Sequence, residues 1–187
     1  LEPGRAYRTR ELRRWSANPT RLARRLVAEG KLRKAAQGLF YGPIESRFGQ
    51  APVGDGEMMR AFLGDSPFVI TGPPRWNPLG LGSTAMFAAT LVYNTRRTGE
   101  FTFDRRRFLL RRVLFPESPP PEWFIIDLLR HHRMTGTSLA ELEERLTATL
   151  RQGRWDAEQL REMAREYGTS ATLAVVDCCI AAAGAVS

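Results

Sequence analysis

Residues 18–42 have the sequence NPTRLARRLVAEGKLRKAAQGLFYG, which predicts one helix followed by a β-hairpin. Asn18 suits the N-cap position because its side-chain oxygen can accept a hydrogen bond from the first turn, and Pro19 suits the first helical position. Gly30 should end the helix, since glycine adopts the left-handed conformation at low cost. Two short apolar stretches follow, with Gly38 in the turn between them.

The predicted helix has two faces. Apolar residues recur at positions i, i+1, i+4 and i+5, so they should be buried together; they are Leu22, Ala23, Leu26 and Val27. The opposite face is polar and basic, with Thr20, Arg21, Arg24 and Arg25. The strands of the hairpin are predicted at Leu32 and at Leu39–Tyr41.

The preceding segment supports a helix-turn-helix motif. Thr9 can cap a short helix from Arg10 to about Trp15, with Leu12 and Trp15 on its buried side, and Ser16-Ala17 would form the turn into the next helix. A basic second helix followed by a basic hairpin is typical of the recognition helix and wing of winged helix-turn-helix domains. We expect that a first helix of the domain could lie upstream of Leu1.

The basic charge is concentrated at the start of the chain. The protein has 187 residues and a formal net charge of +8. Residues 1–50 contain twelve of the 28 Lys and Arg residues but only four of the 20 Asp and Glu residues, so residues 51–187 are neutral. A basic module joined to a neutral segment is expected of a nucleic-acid-binding protein. A small basic domain with a solvated arginine face is the alternative interpretation.

We therefore predict three groups of DNA contacts. Phosphate neutralisation is assigned to Arg5, Arg8, Arg10, Arg13 and Arg14, and base readout to Thr20, Arg21, Arg24 and Arg25. The wing residues that would reach the neighbouring groove or backbone are Arg33, Lys34 and Gln37.

The pattern along the chain predicts an α+β fold with two domains. The first is a winged helix-turn-helix over residues 1–46. The second is a mixed α+β interaction domain over residues 47–187, with a small antiparallel sheet and a helical bundle. The predicted elements are a linker at 43–53, a helix at 56–63 capped by Asp55, strands at 68–71, 85–94, 101–103 and 107–115, a loop at 72–82, and helices in the last third. Ser138 with Glu141, and Asp156 with Gln159, are typical of helix starts.

Residues 171–183 are apolar nearly all round, which predicts the central buried helix of the bundle. Asp177 within it would need a partner, and a structural salt bridge is the simplest one. Cys178 and Cys179 match no metal spacing and are predicted to be small core residues in a reducing cytoplasm. No signal peptide is evident, and the apolar run to Val186 is shorter than a bilayer span, so no membrane association is expected.

Catalytic motifs are not evident. Gly80-Leu81-Gly82-Ser83 resembles a nucleotide-binding turn, but it lacks the lysine of a P-loop and the paired carboxylates of a nucleotidyltransferase. His131 and His132 are adjacent, so their side chains point about 100° apart on a helix. We expect no enzymatic activity, no metal and no cofactor. The alternative is a nucleic-acid-processing enzyme with its active site in the Trp76–Ser83 loop.

The order of these motifs resembles that of the AbiEi-type antitoxins and transcriptional regulators of bacterial abortive-infection systems. The most specific parts are Glu29–Arg33 continuing through Gly38–Tyr41, and the Trp76–Leu81 loop. The resemblance implies a DNA-binding regulator that represses its own operon. It also implies an antitoxin that acts in phage defence against a nucleotidyltransferase toxin, with or without direct contact.

The loop containing Trp76 and Asn77 is the predicted partner-binding surface, because tryptophan is over-represented among interface hot spots. The alternative is that Trp76 fills the core beside Phe68 and Phe87, since most tryptophans are largely buried.

Overall fold

The computed structural model describes residues 1–47, 49–84 and 86–184. The chain is α+β, as predicted, and it contains 46% helix and 21% strand. It divides into two compact units, one formed by Leu1–Ile70 with Asn94–Arg112, the other by Thr71–Tyr93 with Val113–Ser187. The first unit thus continues past the predicted boundary at residue 46 and includes a later segment of the chain.

The first unit begins with a three-stranded antiparallel sheet and two helices. The elements are β1 (Ala6–Arg8), a 3₁₀ helix (Thr9–Arg14), α1 (Pro19–Ala28), β2 (Arg33–Ala36) and β3 (Leu39–Tyr41), and the strand order is β1-β3-β2. One cluster of buried side chains holds them together, made of Tyr7, Leu12, Ala23, Leu26 and Leu32. Phe40 of β3 packs against this cluster, so β1, the 3₁₀ helix, α1 and β3 share one small core.

The local signals around α1 act as predicted. The Asn18 side chain accepts a hydrogen bond from the Arg21 backbone N–H at 3.0 Å, which satisfies one free donor of the first turn. Gly30 and Gly38 have φ of 71° and 72°, so both occupy the left-handed region where a Cβ atom is unfavourable. The first hairpin strand begins at Arg33, directly after the buried Leu32.

Three details of this region were predicted wrongly. The short helix before α1, which is a 3₁₀ helix, has Arg8 rather than Thr9 as its N-cap, and the Arg8 backbone N–H donates to the Glu11 carboxylate at 2.6 Å. Trp15 and Val27 were expected to be buried but are 52% and 37% exposed. Trp15 is displaced from the core because it follows the last residue of the short helix, where the chain turns towards Asn18.

The predicted linker at 43–53 contains a hairpin, β4 (Ile44–Ser46) with β5 (Gly49–Ala51). Next come α2 (Asp55–Leu63), whose N-cap is Gly54, and β6 (Phe68–Thr71). Strand β7 (Ala89–Asn94) begins later than the predicted residue 85, which lies outside the described residues. Both β6 and β7 include residues on each side of the boundary between the units.

A third hairpin completes the first unit. Strands β8 (Gly99–Phe103) and β9 (Arg106–Arg112) pair in an antiparallel register around Asp104 and Arg105, whose φ angles are 47° and 65°. The hairpin tip is tied to the N-terminal sheet, since the Asp104 N–H donates to the Ala35 carbonyl at 3.0 Å and the Tyr41 hydroxyl donates to the Asp104 carboxylate at 2.5 Å.

The second unit is mostly helical. It contains α3 (Pro73–Trp76), α4 (Pro121–Arg130), α5 (Leu139–Arg151), α6 (Ala157–Tyr167) and α7 (Ser170–Gly184), with short 3₁₀ helices at Asn77–Leu79 and His132–Met134. The predicted loop at 72–82 is therefore partly helical. Ser138 and Asp156 accept hydrogen bonds from the third residues of α5 and α6, as their sequences predicted.

Helix α7 was predicted to be buried on all sides, and this is wrong. Its buried residues lie along one face, namely Thr172, Val176 and Cys179, while Cys178 is exposed. The helix packs against α5 and α6, which leaves its other side uncovered by these two helices. Asp177 forms the expected salt bridge, with Arg161 at 2.8 Å. Among the described helices, none is both long and apolar enough to cross a bilayer.

Candidate nucleic-acid interface

The outer face of α1 presents an unobstructed row of basic side chains. Thr20, Arg21, Arg24 and Arg25 are all exposed, as predicted. Arg25 is 3.6 Å from the Glu29 carboxylate. Within the described part of the chain, Arg21 and Arg24 form no ion pair, so their guanidinium groups are available to an anionic partner.

Trp15 adds an aromatic side chain to this face. Together with Ser16 and Leu22 it lines a shallow depression shared with the α1 arginines. The Trp15 ring meets Tyr7 edge-on at a centroid distance of 6.1 Å, and Tyr7 itself is buried. Trp15 was not predicted to belong to the site, because its spacing from Leu12 suggested that both side chains are buried.

The 3₁₀ helix carries a second group of cations. Arg10, Arg13 and Arg14 are exposed, in agreement with a phosphate-contacting role. The Arg5 guanidinium already has partners within the protein. It forms an ion pair with Glu2 at 3.2 Å and lies 5.2 Å from the centre of the Tyr7 ring.

Arg8 has a different place from the one predicted for it. Its guanidinium donates to the carbonyl oxygens of Ala61, at 2.7 Å, and Phe62, both in the last turn of α2. A cation there satisfies free helix carbonyls and complements the negative end of the helix dipole. Burial and the neighbouring Arg10 lower the pKa of Arg8. Arg8 thus joins β1 to α2 and is removed from the set of phosphate contacts.

The β2–β3 hairpin extends the basic surface. Arg33, Lys34 and Gln37 are exposed, as a wing would require. Arg33 donates to the Gln50 side chain at 3.2 Å, which links the hairpin to β5. On the inner side, burial and the hydrogen bond to Asp104 raise the pKa of Tyr41. The exposed cations therefore lie on a strand pair whose opposite side is held by the hydrogen bond between Tyr41 and Asp104.

The second unit contains a buried polar cluster that the sequence did not reveal. The Asp127 carboxylate, 2% exposed, accepts hydrogen bonds from Thr71 Oγ1 at 2.5 Å, Trp76 Nε1 at 2.9 Å and Tyr93 OH at 2.8 Å. His131 lies beside it, with Nδ1 3.4 Å from the carboxylate. We name these five residues the Asp127 cluster. A carboxylate inside the apolar segment 123–129 was the only sequence signal for it.

His131 is held between Asp127 and Tyr93. Its Nδ1 also lies 2.8 Å from the Asp127 carbonyl, and its Nε2 lies 3.2 Å from the Tyr93 hydroxyl. Burial by itself would lower the pKa of His131, but the hydrogen bond and charge of Asp127 outweigh burial and raise that pKa above its ordinary value. The cluster thus favours the imidazolium form.

The core interpretation of Trp76 is correct, and Trp76 is not a surface anchor. Its ring is fully buried, stacks on His131 at 5.5 Å and meets Phe87 edge-on at 5.6 Å. Asn77 is exposed and accepts a hydrogen bond from Ser83 at 3.0 Å, so it remains the accessible member of the predicted pair.

The Gly80–Ser83 turn is covered by arginines. A Cβ atom at Gly80 would lie 2.8 Å from the Arg154 guanidinium, and one at Gly82 would lie 2.6 Å from that of Arg145. The ends of these flexible side chains could move, but φ is 74° at Gly80 and 82° at Gly82, and this left-handed backbone favours glycine at both positions. Among the residues that the structure describes, no group of three His, Cys, Asp or Glu side chains could hold a metal ion.

No protein-family model matches the chain, and no curated protein matches its sequence.

Proposed function

We propose that this protein is a sequence-specific DNA-binding regulator whose first unit carries a winged helix-turn-helix. In this proposal α1 is the recognition helix, the 3₁₀ helix before it is the supporting helix, and β2–β3 is the wing. The observation that carries the proposal is the exposed face of α1, where Arg21 and Arg24 have no acidic partner within the described residues and stand next to the exposed cations of the 3₁₀ helix.

The chemistry of this face fits double-stranded DNA. Arginine donates two parallel hydrogen bonds to the O6 and N7 atoms of guanine, and a helix fits the major groove. Arg13 and Arg14 lie on the preceding helix, from which a helix-turn-helix domain contacts the phosphate backbone. The wing cations would contact the neighbouring groove or backbone.

We propose further that the protein is the antitoxin of a toxin–antitoxin pair, as its resemblance to the AbiEi-type regulators implies. It would repress its own operon and antagonise a nucleotidyltransferase toxin encoded beside it, without enzymatic activity of its own. The partners are then operator DNA and, with or without direct contact, the toxin.

Growth and DNA binding test the two parts separately. Cells that express the neighbouring nucleotidyltransferase should resume growth when the full chain is supplied from an independent promoter. Arg24→Ala should still rescue growth while failing to repress the operon promoter. Failure of the wild-type chain to rescue would remove the antitoxin function, and full repression by Arg24→Ala would remove the recognition role of α1.

A further inference from the structure

A cavity of about 330 Å³ lies in the second unit, where the end of α4 meets the starts of α5 and α7. Four of its nine lining residues are the apolar Leu129, Leu139, Ala171 and Val175. The volume is at the lower end of the range found for small-molecule sites, about 300–1,000 Å³, which are mostly apolar with a few polar groups. All nine lining residues belong to the second unit, whereas α1 belongs to the first.

The remaining walls of the cavity are basic or neutral. They include Arg130, His131 and His132, and none of the nine lining residues is Asp or Glu. Arg130 is exposed and uses one nitrogen to donate to the Tyr167 carbonyl at 3.1 Å. His132 Nδ1 bonds to the Leu129 carbonyl at 2.8 Å, so this nitrogen carries the proton. In the described part of the chain, His132 Nε2 has no hydrogen-bond partner.

The hydrogen bonds around His131 favour its charged form. The Tyr93 hydroxyl donates its proton to Asp127, so it can only accept from His131 Nε2. On the other side of the ring, the Asp127 carbonyl can only accept from Nδ1. Both contacts suit a ring that carries a proton on each nitrogen, so the geometry favours the imidazolium form. His131 lines the cavity and Asp127 does not, so the positive end of this pair faces the cavity.

We propose that this cavity binds a small monocarboxylic acid with an apolar body. The carboxylate would accept hydrogen bonds from Arg130, in a site that His132 and the positive His131 also line. The hydrocarbon part would lie between Leu129, Leu139 and Val175. A single carboxylate fits better than a phosphate because the apolar walls leave few donors for a doubly charged, strongly hydrated group.

Titration of octanoate into the full chain, followed by calorimetry, tests the proposal. Octanol keeps the hydrocarbon without the charge, and acetate keeps the charge without the hydrocarbon. Octanol loses the charged hydrogen bonds and acetate loses the apolar contacts. Each should therefore bind at least about tenfold more weakly than octanoate. Octanol binding as tightly as octanoate, or no octanoate binding up to its solubility limit, would overturn the proposal.

Variants locate the bound acid. Val175→Phe should fill the cavity and abolish octanoate binding, and Arg130→Gln should weaken it about tenfold. Arg133→Gln is the matched control, because Arg133 is exposed and does not line the cavity. Melting curves check that each variant folds, and His132→Gln replaces Arg130→Gln if the latter unfolds. Equal losses in Arg130→Gln and Arg133→Gln, or unchanged binding in Val175→Phe, would refute the site.

Discussion

Replacing Asp127 with alanine should destabilise the second unit by ~3–5 kcal/mol, the usual cost of breaking a buried ion pair by removing one partner. The substitution leaves three buried donors without an acceptor, those of Thr71, Trp76 and Tyr93. Each orphaned donor costs ~1–3 kcal/mol, and His131 also loses its counter-charge. Because a whole domain is stable by only ~5–15 kcal/mol, a large fraction of that stability should be lost.

Urea denaturation followed by tryptophan fluorescence measures this loss, and two variants serve as controls. Tyr93→Phe removes the hydroxyl that contacts both Asp127 and His131 Nε2 but leaves the carboxylate its other partners, so it should cost ~1–3 kcal/mol, less than Asp127→Ala. Asp177→Asn removes an ion pair whose carboxylate is 48% exposed, so its effect should be much smaller than that of Asp127→Ala. A loss below ~1 kcal/mol for Asp127→Ala would mean that the Asp127 cluster contributes no more than an average contact.

Three further predictions follow from the contacts described above. The pKa of His131 is raised, so protonated His131 should stabilise the fold fully below a pH of about 6.5, the ordinary pKa of histidine. This stabilisation should be lost as the pH rises through the raised pKa. The difference in unfolding free energy between wild type and His131→Gln should therefore shrink at alkaline pH. Ser138→Ala removes the N-cap of α5 and should cost ~1 kcal/mol, measured by thermal unfolding against the exposed control Ala140→Ser. Arg13→Ala should weaken binding to all DNA sequences alike and reduce the slope of log affinity against log salt by about one unit.

The sequence predicted best those elements whose signals are local. Asn18, Pro19 and Gly30 each act on neighbouring backbone, so the bounds of α1 could be derived without the rest of the fold. The caps of α5 and α6 are of the same kind. Exposure was harder to predict, because it depends on which elements pack on which face. Helix α7 is apolar nearly all round, yet it packs on only some of its sides.

The buried site could not be derived from local patterns at all. The donors to Asp127 come from positions 34 to 56 residues earlier in the chain. Similarly, Arg8 is one of several basic residues in its segment, and only the position of α2 assigns it to helix carbonyls 53 and 54 residues away. Charge density therefore indicated where nucleic acid could bind, but tertiary contacts decided which arginines are free to do so.

The affinity of the full chain for DNA, measured by fluorescence anisotropy at several salt concentrations, tests the central proposal most directly. The probes are the duplex upstream of its own gene and a scrambled duplex of equal length. Arg24→Ala should lose ~1–3 kcal/mol of binding free energy on the upstream duplex and less on the scrambled one. The matched variant Arg133→Ala, which removes an exposed arginine of the second unit, should bind both like wild type. Wild-type binding that does not distinguish the duplexes, or unchanged binding by Arg24→Ala, would contradict recognition through α1.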